Sequence, residues 1–255
     1  MINILVPQLL NIVVPMAGHG SRFSKAGYLD PKPLIPVFGK PMIELVIENL
    51  KPARDHRFIF ICQSEHLRDY PLRDLLEKKA PRCKIIEIGK VTQGAACSVL
   101  LAKQHIDNFD QLMIANCDQY VDIDINKYLE LLIQDVDGLI MTMKENSNKW
   151  SYLDLNEKNE ITRVVEKEVI SDEATVGIYN FKRGSDFVKA AESMIAKNLR
   201  VNNEFYVAPA YNEMIANGKR IIYYNIGKLN MGMYGLGTPE DLEKFLQMPL
   251  QSASI

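Results

Sequence analysis

The stretch NIVVPMAGHGSRF, residues 11–23, places a glycine-containing loop directly after a run of apolar, mostly β-branched residues. An apolar run without alternation is typical of a strand covered on both faces, so 11–16 is predicted to be a buried first strand. Similar runs recur at 57–62, 83–87, 111–115 and 138–143, with helical patterns between them. This alternation predicts an α/β fold with a mixed, mostly parallel sheet and helices on both faces.

The spacing of apolar side chains also predicts the helices. They are expected at 42–49, 66–79, 94–105, 125–134, 185–197 and 206–216, and from Thr238 onward. Beyond residue 143 three short strands follow with brief connections, at 151–155, 161–167 and 174–181, and a last strand is expected at 220–225. Brief connections are typical of an antiparallel meander. We interpret 1–255 as a single domain whose two parts meet after residue 143.

The charge of the chain is nearly balanced. Its 255 residues include 30 Lys plus Arg and 32 Asp plus Glu, a formal net charge of −2. Such a balance produces no overall field that would attract a polyanion or an anionic membrane surface. We therefore expect neither a nucleic acid nor a membrane among the partners, and any polyphosphate must bind a local cluster of cations. The charge pattern leaves the oligomeric state, including a homo-oligomer, open.

The cysteines and the first residues indicate the compartment. Cys62, Cys83, Cys97 and Cys117 lie far apart, without the spacing of a zinc site or a disulfide framework. This pattern is typical of the reducing cytosol, and a cytoplasmic location is predicted. The opening MINILVPQLL lacks a basic flank and contains a proline, so a signal peptide is not expected. Residues 2–7 are echoed at 10–15, which we interpret as an extra start region ahead of the first strand.

The loop after the first strand carries the strongest functional signal. Over 17–41 it holds four cations and one acid, namely Arg22, Lys25, Lys32, Lys40 and Asp30. Glycines let a backbone approach a ligand closely, and Arg and Lys suit phosphate oxygens. The segment contains no dinucleotide-binding or Walker A motif, and its prolines argue against a regular helix. On composition alone, a phosphate site and a solvated basic loop are equally compatible with it.

Asp118 follows the apolar strand predicted at 111–115. Open α/β sheets bind ligands at the carboxyl ends of their strands. Mg²⁺ is commonly held by one or two carboxylates together with substrate phosphates and water. Asp118 is therefore predicted to be a metal ligand, and the alternative is an aspartate that only shapes a turn.

Two blocks resemble a known family: GHGSRF at 18–23 and PKPLIPVFGKPMI at 31–43. Further blocks match in the same order, at 93–96, 116–118, 166–167, 177–179 and 236–239. Together they resemble the nucleoside-triphosphate transferase family, the sugar-phosphate nucleotidylyltransferases or NDP-sugar pyrophosphorylases. The resemblance implies a Rossmann-like sheet of glycosyltransferase-A type and the reaction NTP + X-phosphate → NDP-X + pyrophosphate. It also implies Mg²⁺ as cofactor, and an NTP and a phosphorylated small-molecule acceptor as partners.

The same resemblance implies roles for individual residues. Arg22 would grip the triphosphate and Lys32 would lie beside the α-phosphate, which makes both catalytic. The implied nucleotide contacts are Ala17, Gly18, His19, Gly20, Ser21, Gln93, Gly94 and Asn116. Residues 1–143 would thus form the nucleotide-binding half, and 144–255 the acceptor-binding half with the C-terminal helices.

On the acceptor side, Glu166 would meet the acceptor and Lys167 its phosphate, although a surface ion pair is the plainer interpretation. Gly177, Glu204 and Tyr152 are further candidate acceptor contacts, with a strand bulge, a helix start and core packing as their alternatives. The chain departs from the family at the second metal ligand. Gly235 stands where the family usually has an acid, so Asn230 is assigned as the nearest oxygen donor.

Several alternatives stay open. The acceptor could be a hexose or heptose phosphate or a non-sugar phosphate such as phosphocholine, and the base could be that of CTP, UTP, GTP or dTTP. A role in capsule or lipopolysaccharide assembly is the favoured expectation. A glycosyltransferase of the same fold and a catalytically silent nucleotide-binding protein are the other two functions that the sequence allows.

Overall fold

The computed structural model describes residues 8–248, so the start region proposed at 2–7 lies outside the described residues. The strands are β1 (Leu10–Pro15), β2 (Pro36–Val37), β3 (Lys40–Pro41), β4 (His56–Gln63), β5 (Lys84–Ile88), β6 (Gln111–Ala115), β7 (Gln119–Val121), β8 (Gly138–Lys144), β9 (Ser151–Leu155), β10 (Ile161–Glu166), β11 (Glu173–Phe181), β12 (Ile221–Leu229) and β13 (Gly232–Gly235). The helices are α1 (Ser21–Lys25), α2 (Met42–Leu50), α3 (Ser64–Asp69), α4 (Leu72–Lys79), α5 (Ala95–Leu100), α6 (Lys103–Ile106), α7 (Ile125–Leu129), α8 (Gly184–Ala196), α9 (Ala210–Ala216) and α10 (Pro239–Leu246).

Eleven of these strands form one mixed sheet, in the order β5-β4-β1-β6-β11-β8-β12-β13-β7, with β9 and β10 attached beside β11. Strand β1 is parallel to both of its neighbours, β4 and β6, as expected for strands joined through helices. Strand β11 is antiparallel to β6 and β8, and the β9–β10 hairpin is antiparallel as well. The predicted mixed α/β sheet is confirmed. The meander expected after residue 143 is wrong, because β11 pairs with β6, β8 and β9 and β10 pairs with β9 alone.

Helices cover both faces of the sheet. Side chains alternate along β1, so Ile12 and Val14 pack with α2 and α4, whereas Val13 packs with α5, α8 and α9. Full burial of each such side chain contributes about 1.5–3 kcal/mol. Both faces of β1 are covered by helices. The loop that follows β1 therefore lies at the carboxyl edge of the sheet. That edge is where open α/β sheets bind ligands.

A third apolar cluster holds the glycine-containing loop in place. Phe23 of α1 is 1% exposed and packs with Ile35 and Val37 from the same loop. Leu236 and Phe245, from the C-terminal part of the chain, complete the cluster. The loop is therefore anchored by apolar contacts, although most of its charged side chains face solvent.

The structure corrects several predicted helices. The helix expected at 66–79 is two helices, α3 and α4, because Pro71 interrupts the hydrogen-bond pattern. The helix expected at 94–105 also divides, after Leu100, and α7 ends at Leu129 instead of continuing to residue 134. The expectation that 17–41 contains no helix is wrong, because the five-residue α1 follows Gly20. Strands β2, β3, β7 and β13 were not predicted.

No helix within residues 8–248 is long and apolar enough to cross a membrane. All four cysteines carry free thiols. Burial raises the pKa of the Cys62 and Cys117 thiols to about 12 and about 11, so both are protonated at neutral pH. Neither is an activated nucleophile in this state.

Candidate active site

Gly20 ends the loop that leaves β1 and begins α1. Its φ of +59° lies in the left-handed region, which glycine adopts without strain. A Cβ at this position would lie 3.3 Å from the Cβ of Lys32, so the loop folds back on itself here. Gln63, from the end of β4, donates to the backbone oxygens of Ala17 and Gly18 at 2.9 and 3.0 Å. These bonds fix the path of the loop.

Lys32 and Asp118 form an ion pair at the carboxyl edge of the sheet. Lys32 Nζ lies 2.5 Å from Asp118 Oδ2, and both side chains are 22% exposed. Burial alone lowers the pKa of Lys32, but the Asp118 carboxylate outweighs this effect and the pKa is raised. The lysine is therefore charged at every physiological pH, and it joins the loop to the end of β6.

Arg22 reaches the same place from α1. A Cβ at Gly237 would lie 2.7 Å from Asp118 Oδ2 and 4.0 Å from Arg22 Nη1, so both side chains border the bare backbone of Gly237. The backbone N–H of Leu236 also donates to the carbonyl of Asp118. Arg22 and Lys32 of the loop are thus brought together with Asp118 and Gly237, which belong to two segments far away in the sequence. Gly237 belongs to the half of the chain expected to bind the acceptor, so the two predicted halves interleave here.

A cavity of about 220 Å³ opens beside this ion pair. It is lined by Pro15, Met16, Gly18, Gly20, Lys32, Pro33, Asn116, Cys117 and Asp118. A ligand in this cavity would meet one ammonium group, glycine backbone and a carboxylate. Together with the neighbouring guanidinium of Arg22, this combination suits a polyphosphate accompanied by a divalent cation. His19 and Ser21 are exposed on the loop and do not line the cavity.

A second cavity of about 220 Å³ adjoins the first, and the two share Pro15 and Gly18. Its other lining residues are Ala17, Val91, Thr92, Gly94, Ala95, Ser98 and Glu204. Gly94 has a φ of +124°, and a Cβ there would lie 2.5 Å from the carbonyl oxygen of Phe205. The backbone of Phe205 bonds to Gln93 and Ala96 on either side of this glycine. Gly94 therefore lets the two segments close the wall of the cavity.

Glu204 borders this second cavity, although the sequence assigned it to the acceptor. Burial raises the pKa of Tyr206 and the Glu204 carboxylate adds to the rise, so Glu204 lies between the two predicted binding regions. Gln93 is exposed and contributes its backbone carbonyl to the Phe205 contact rather than lining the cavity.

Glu166 and Lys167 lie side by side at the end of β10, but their environments differ. Glu166 is 8% exposed and accepts a hydrogen bond from the Ser151 hydroxyl. Burial raises the pKa of Glu166, and the Ser151 hydroxyl and the Lys167 ammonium oppose part of this rise. Lys167 donates to the Tyr206 hydroxyl at 2.6 Å and lies 4.7 Å from the centre of its ring. The pair is therefore not a simple surface ion pair.

Two of the predicted acceptor contacts, Tyr152 and Gly177, are buried in this structure. Tyr152 is 0% exposed and its hydroxyl donates to the backbone oxygen of Ser147, so it belongs to the core. Gly177 has a φ of +81°, and a Cβ there would lie 2.1 Å from Asn116 Nδ2. The space freed by this glycine is filled by the Asn116 side chain.

Asn230, predicted to be the second metal ligand, lies in a turn at the edge of the sheet. Asn230 lies in the turn between β12 and β13, where its φ is +63°. Strand β13 pairs with β7 so that Gly235 faces Gln119, the residue after Asp118, and Met233 faces Val121. The backbone N–H of Asn230 donates to the Met233 carbonyl at 2.7 Å, so the turn folds back along β13. Beside Gly235 the nearest side-chain oxygen is Asp241 Oδ2, 3.6 Å from the place that a Cβ would occupy.

Sequence reasoning missed several residues of the site. Gln63 and Thr92 hold its loops, and Thr92 Oγ1 donates to the Gly94 carbonyl and bonds to the Ser98 hydroxyl. Ser151 and Tyr206 contact Glu166 and Lys167. None of them lies in a recognisable motif. Gln63, Ser151 and Tyr206 act through partners that are distant in the sequence, whereas the partners of Thr92 are nearby. Gly237 was visible only as part of the 236–239 block.

A sequence model of the family described as nucleotidyl transferase matches residues 12–229. This span covers most of the chain and all the site residues except Gly237, so the chain belongs to the nucleotidyl transferase family. The predicted resemblance is confirmed, and with it the prediction that the chain belongs to a family of nucleotidyl-transferring enzymes.

Two curated relatives illustrate the family. The bifunctional protein GlmU of Methanocaldococcus jannaschii is 25% identical over 177 residues, which cover 68% of this chain and 40% of that protein. The bifunctional sugar-1-phosphate nucleotidylyltransferase/acetyltransferase of Sulfurisphaera tokodaii is 22% identical over 170 residues, which cover 67% of this chain and 40% of the relative. The chain therefore spans about two fifths of the length of these relatives.

Solved structures show the same architecture over nearly the whole chain. The nucleoside-diphosphate-sugar pyrophosphorylase from Vibrio cholerae has a TM-score of 0.76 and 27% identity, covering 93% of this chain and 100% of that one. A putative glucose-1-phosphate thymidylyltransferase from Bacillus anthracis has a TM-score of 0.73 and 19% identity, covering 95% and 98%. The second comparison concerns the fold alone.

Proposed function

We propose that the chain transfers a nucleoside monophosphate from an NTP to a sugar 1-phosphate, releasing pyrophosphate and forming an NDP-sugar. The observation that carries this proposal is the convergence of Arg22, Lys32 and Asp118 beside a cavity that continues into a second one. The first cavity suits the triphosphate. The second, bordered by Thr92 and Gly94, suits the nucleoside.

In the proposed reaction, an oxygen of the acceptor phosphate attacks the α-phosphorus of the NTP. The bond between the α-phosphorus and the bridging oxygen breaks, and that oxygen leaves with pyrophosphate. The attacking oxygen is already an anion at neutral pH, so no side chain has to remove a proton. The chain's contribution is to align the two substrates and to place cations where negative charge develops. Lys32 and Arg22 supply two of these cations.

The residues present fit a divalent metal such as Mg²⁺. Asp118 offers a carboxylate at the edge of the first cavity, and such an ion is commonly held by one or two carboxylates together with substrate phosphates. Residues 8–248 contain no group of three or more His, Cys, Asp or Glu side chains that could hold a metal ion without substrate. When bound with the nucleotide, the ion would neutralise phosphate charge. Lys32, now paired with Asp118, would then be free to contact the α-phosphate.

The acceptor region favours a sugar phosphate over phosphocholine. A quaternary ammonium group is normally bound on an aromatic face. The exposed face of Tyr206 beside this region is already covered by the chain's own Lys167 at 4.7 Å. In this proposal Lys167 meets the acceptor phosphate, and the Glu166 carboxylate accepts a hydrogen bond from an acceptor hydroxyl. We further propose that the product serves surface polysaccharide synthesis. We also propose that the enzyme works in the cytosol, and the free thiols support this location.

A matrix of substrates tests the proposed function. Pyrophosphate release would be measured with CTP, UTP, GTP and dTTP against glucose, mannose and N-acetylglucosamine 1-phosphates, a heptose 1-phosphate and phosphocholine, with Mg²⁺ and with EDTA. We expect release with at least one sugar 1-phosphate, and only with Mg²⁺. Consumption of an NDP-sugar, with no pyrophosphate released from any NTP, would identify a glycosyltransferase instead. NTP binding without turnover of any pair would identify a silent binding protein.

A further inference from the structure

Ser151 and Glu166 occupy directly opposed positions on the antiparallel strands β9 and β10. Directly opposed residues have Cβ atoms about 4.5–5.5 Å apart, so the contact between these side chains is set by the backbone. Both residues are nearly buried, at 5% and 8% exposure. The Ser151 hydroxyl donates to Glu166 Oε2. That oxygen is therefore committed to the serine, and Oε1 is the one left for a ligand.

Strand β11 supports this contact from behind. The hydroxyls of Thr175 and Tyr179 lie 2.9 Å apart and both side chains are buried. Burial raises the pKa of Tyr179 and the charge of Glu166 adds to the rise, whereas the Ser151 hydroxyl opposes it. The Tyr179 hydroxyl therefore lies close to both members of the pair. The bulge around Gly177, where the β11–β8 register shifts, brings Thr175 and Tyr179 together.

Groups from every neighbouring segment face Glu166. They are Lys167, the next residue after β10, Ser151 of β9, Tyr179 of β11 and Glu204 from the segment before α9. Burial and the Glu204 carboxylate both favour protonation of Glu166. Lys167 opposes it but donates its hydrogen bond to Tyr206. Ser151 is thus the neutral donor that both orients the carboxylate and favours its ionised form.

We propose that Ser151 is a positioning residue for the acceptor site, which acts by holding Oε2 of Glu166 so that Oε1 accepts from a hydroxyl of the sugar phosphate. The proposal rests on the proposed function, because it assigns Glu166 to the acceptor. It predicts that the hydroxyl of residue 151 sets the affinity for the acceptor, while leaving the affinity for the nucleotide and the chemical step unchanged.

The test compares Ser151→Ala with Ser151→Thr, which keeps the hydroxyl. The probe is the NTP and sugar 1-phosphate pair with the highest turnover in the matrix above. Loss of a hydrogen bond to a charged group should raise the KM for the sugar phosphate about tenfold or more in Ser151→Ala. The KM for the NTP and kcat should stay within about twofold, and Ser151→Thr should recover most of the loss. Without the serine hydroxyl, nothing from residue 151 opposes the rise that burial causes in the pKa of Glu166. The carboxylate then forms at higher pH, so the acceptor KM should fall at higher pH than in the wild type.

Two further variants separate positioning from a general loss of structure. Ser171→Ala is the matched control, because its hydroxyl donates to the Leu153 carbonyl of the same strand and not to Glu166. It should leave the acceptor KM unchanged. In a Glu166→Gln background, Ser151→Ala should add less than about twofold, since the two residues act as one unit.

If Ser151→Ala fails to fold, Tyr179→Phe is the second variant, because it keeps the buried ring and removes only the hydroxyl. It should raise the acceptor KM by about threefold. An unchanged acceptor KM in Ser151→Ala, an equal rise in the NTP KM, or a full additional loss in the Glu166→Gln background would overturn the proposal. These outcomes all require a wild-type enzyme that turns over. Absence of turnover with every sugar phosphate would instead remove the proposed function.

Discussion

The proposed phosphate end and the proposed acceptor end of the site differ in the residues and elements that form them. At the phosphate end, cations on a glycine-containing loop meet Asp118 at the partly exposed edge of the sheet. At the acceptor end, the polar groups of Ser151, Glu166 and Tyr179 lie on strands and are almost fully buried. The difference follows from the ligands. A triphosphate brings several charges and is held by charge, whereas a sugar is distinguished by the direction of its hydroxyls and needs a rigid frame.

Lys32→Ala should have the largest effect. Removing the cation beside the α-phosphate should lower kcat for pyrophosphate release by about a hundredfold or more, in line with the loss of one preorganised charge-stabilising group. Lys40→Ala is the matched control, because Lys40 belongs to the same loop but pairs with Glu48. It should stay within about threefold of the wild type. A Lys32→Ala variant with near-normal kcat would remove this lysine from the mechanism.

Gly94→Ala tests whether the wall of the nucleoside cavity depends on backbone contact. A methyl group would lie 2.5 Å from the Phe205 carbonyl oxygen, and φ at this position is +124°. We expect a loss of about 1–3 kcal/mol in the free energy of unfolding, and a higher KM for the NTP. Denaturant unfolding and steady-state kinetics measure the two effects. Gly89→Ala, which meets nothing within 4 Å, should change neither.

Lys167→Ala sharpens the comparison between the two ends. If Lys167 binds the acceptor phosphate, its loss should raise the KM for the sugar phosphate about tenfold and leave the KM for the NTP unchanged. Lys158→Ala, in the exposed turn of the same hairpin, is the control. A rise in the NTP KM of similar size would mean that the two ends are not separate.

The smallest effect is a pH-dependent one at Glu166. Burial raises its pKa in the folded protein, so the protonated form is favoured by folding. The stability that this contributes is present below the ordinary carboxyl pKa and is lost as pH rises through the raised value. Glu166→Gln cannot ionise. Its free energy of unfolding should therefore rise relative to the wild type between pH 4 and pH 8, measured by urea unfolding. A pH-independent difference would contradict a raised pKa.

Much of the fold was accessible from the sequence, because continuous apolar runs mark strands buried on both faces. Strand β6 was predicted with its observed limits, and β8 and β1 to within one residue. Strands β7 and β13 were missed because they are short and exist only through pairing with each other and with β12. Such pairing depends on the assembled sheet and leaves no periodic pattern along the chain.

The site was predictable where a motif places a charged residue at a strand end, as at Asp118. It was not predictable where strand geometry decides the direction of a side chain. Residues 151 and 152 are adjacent, but strand alternation sends Ser151 toward Glu166 and Tyr152 into the core. The assignment of Asn230 from the sequence had a related weakness. Nearness in sequence to the 236–239 block says nothing about distance along an extended strand.

A crystal structure of the protein with Mg²⁺ and the preferred NTP, in the absence of acceptor, tests the central claim most directly. The account predicts the triphosphate against Gly18, Gly20 and Lys32, with a metal ion on Asp118 and the base beside Thr92 and Gly94. A nucleotide bound elsewhere, for instance in the cavity of about 460 Å³ that Phe109 and Arg183 help to line, would contradict it. A triphosphate bound too far from Lys32 and Asp118 to contact either of them would also contradict the account.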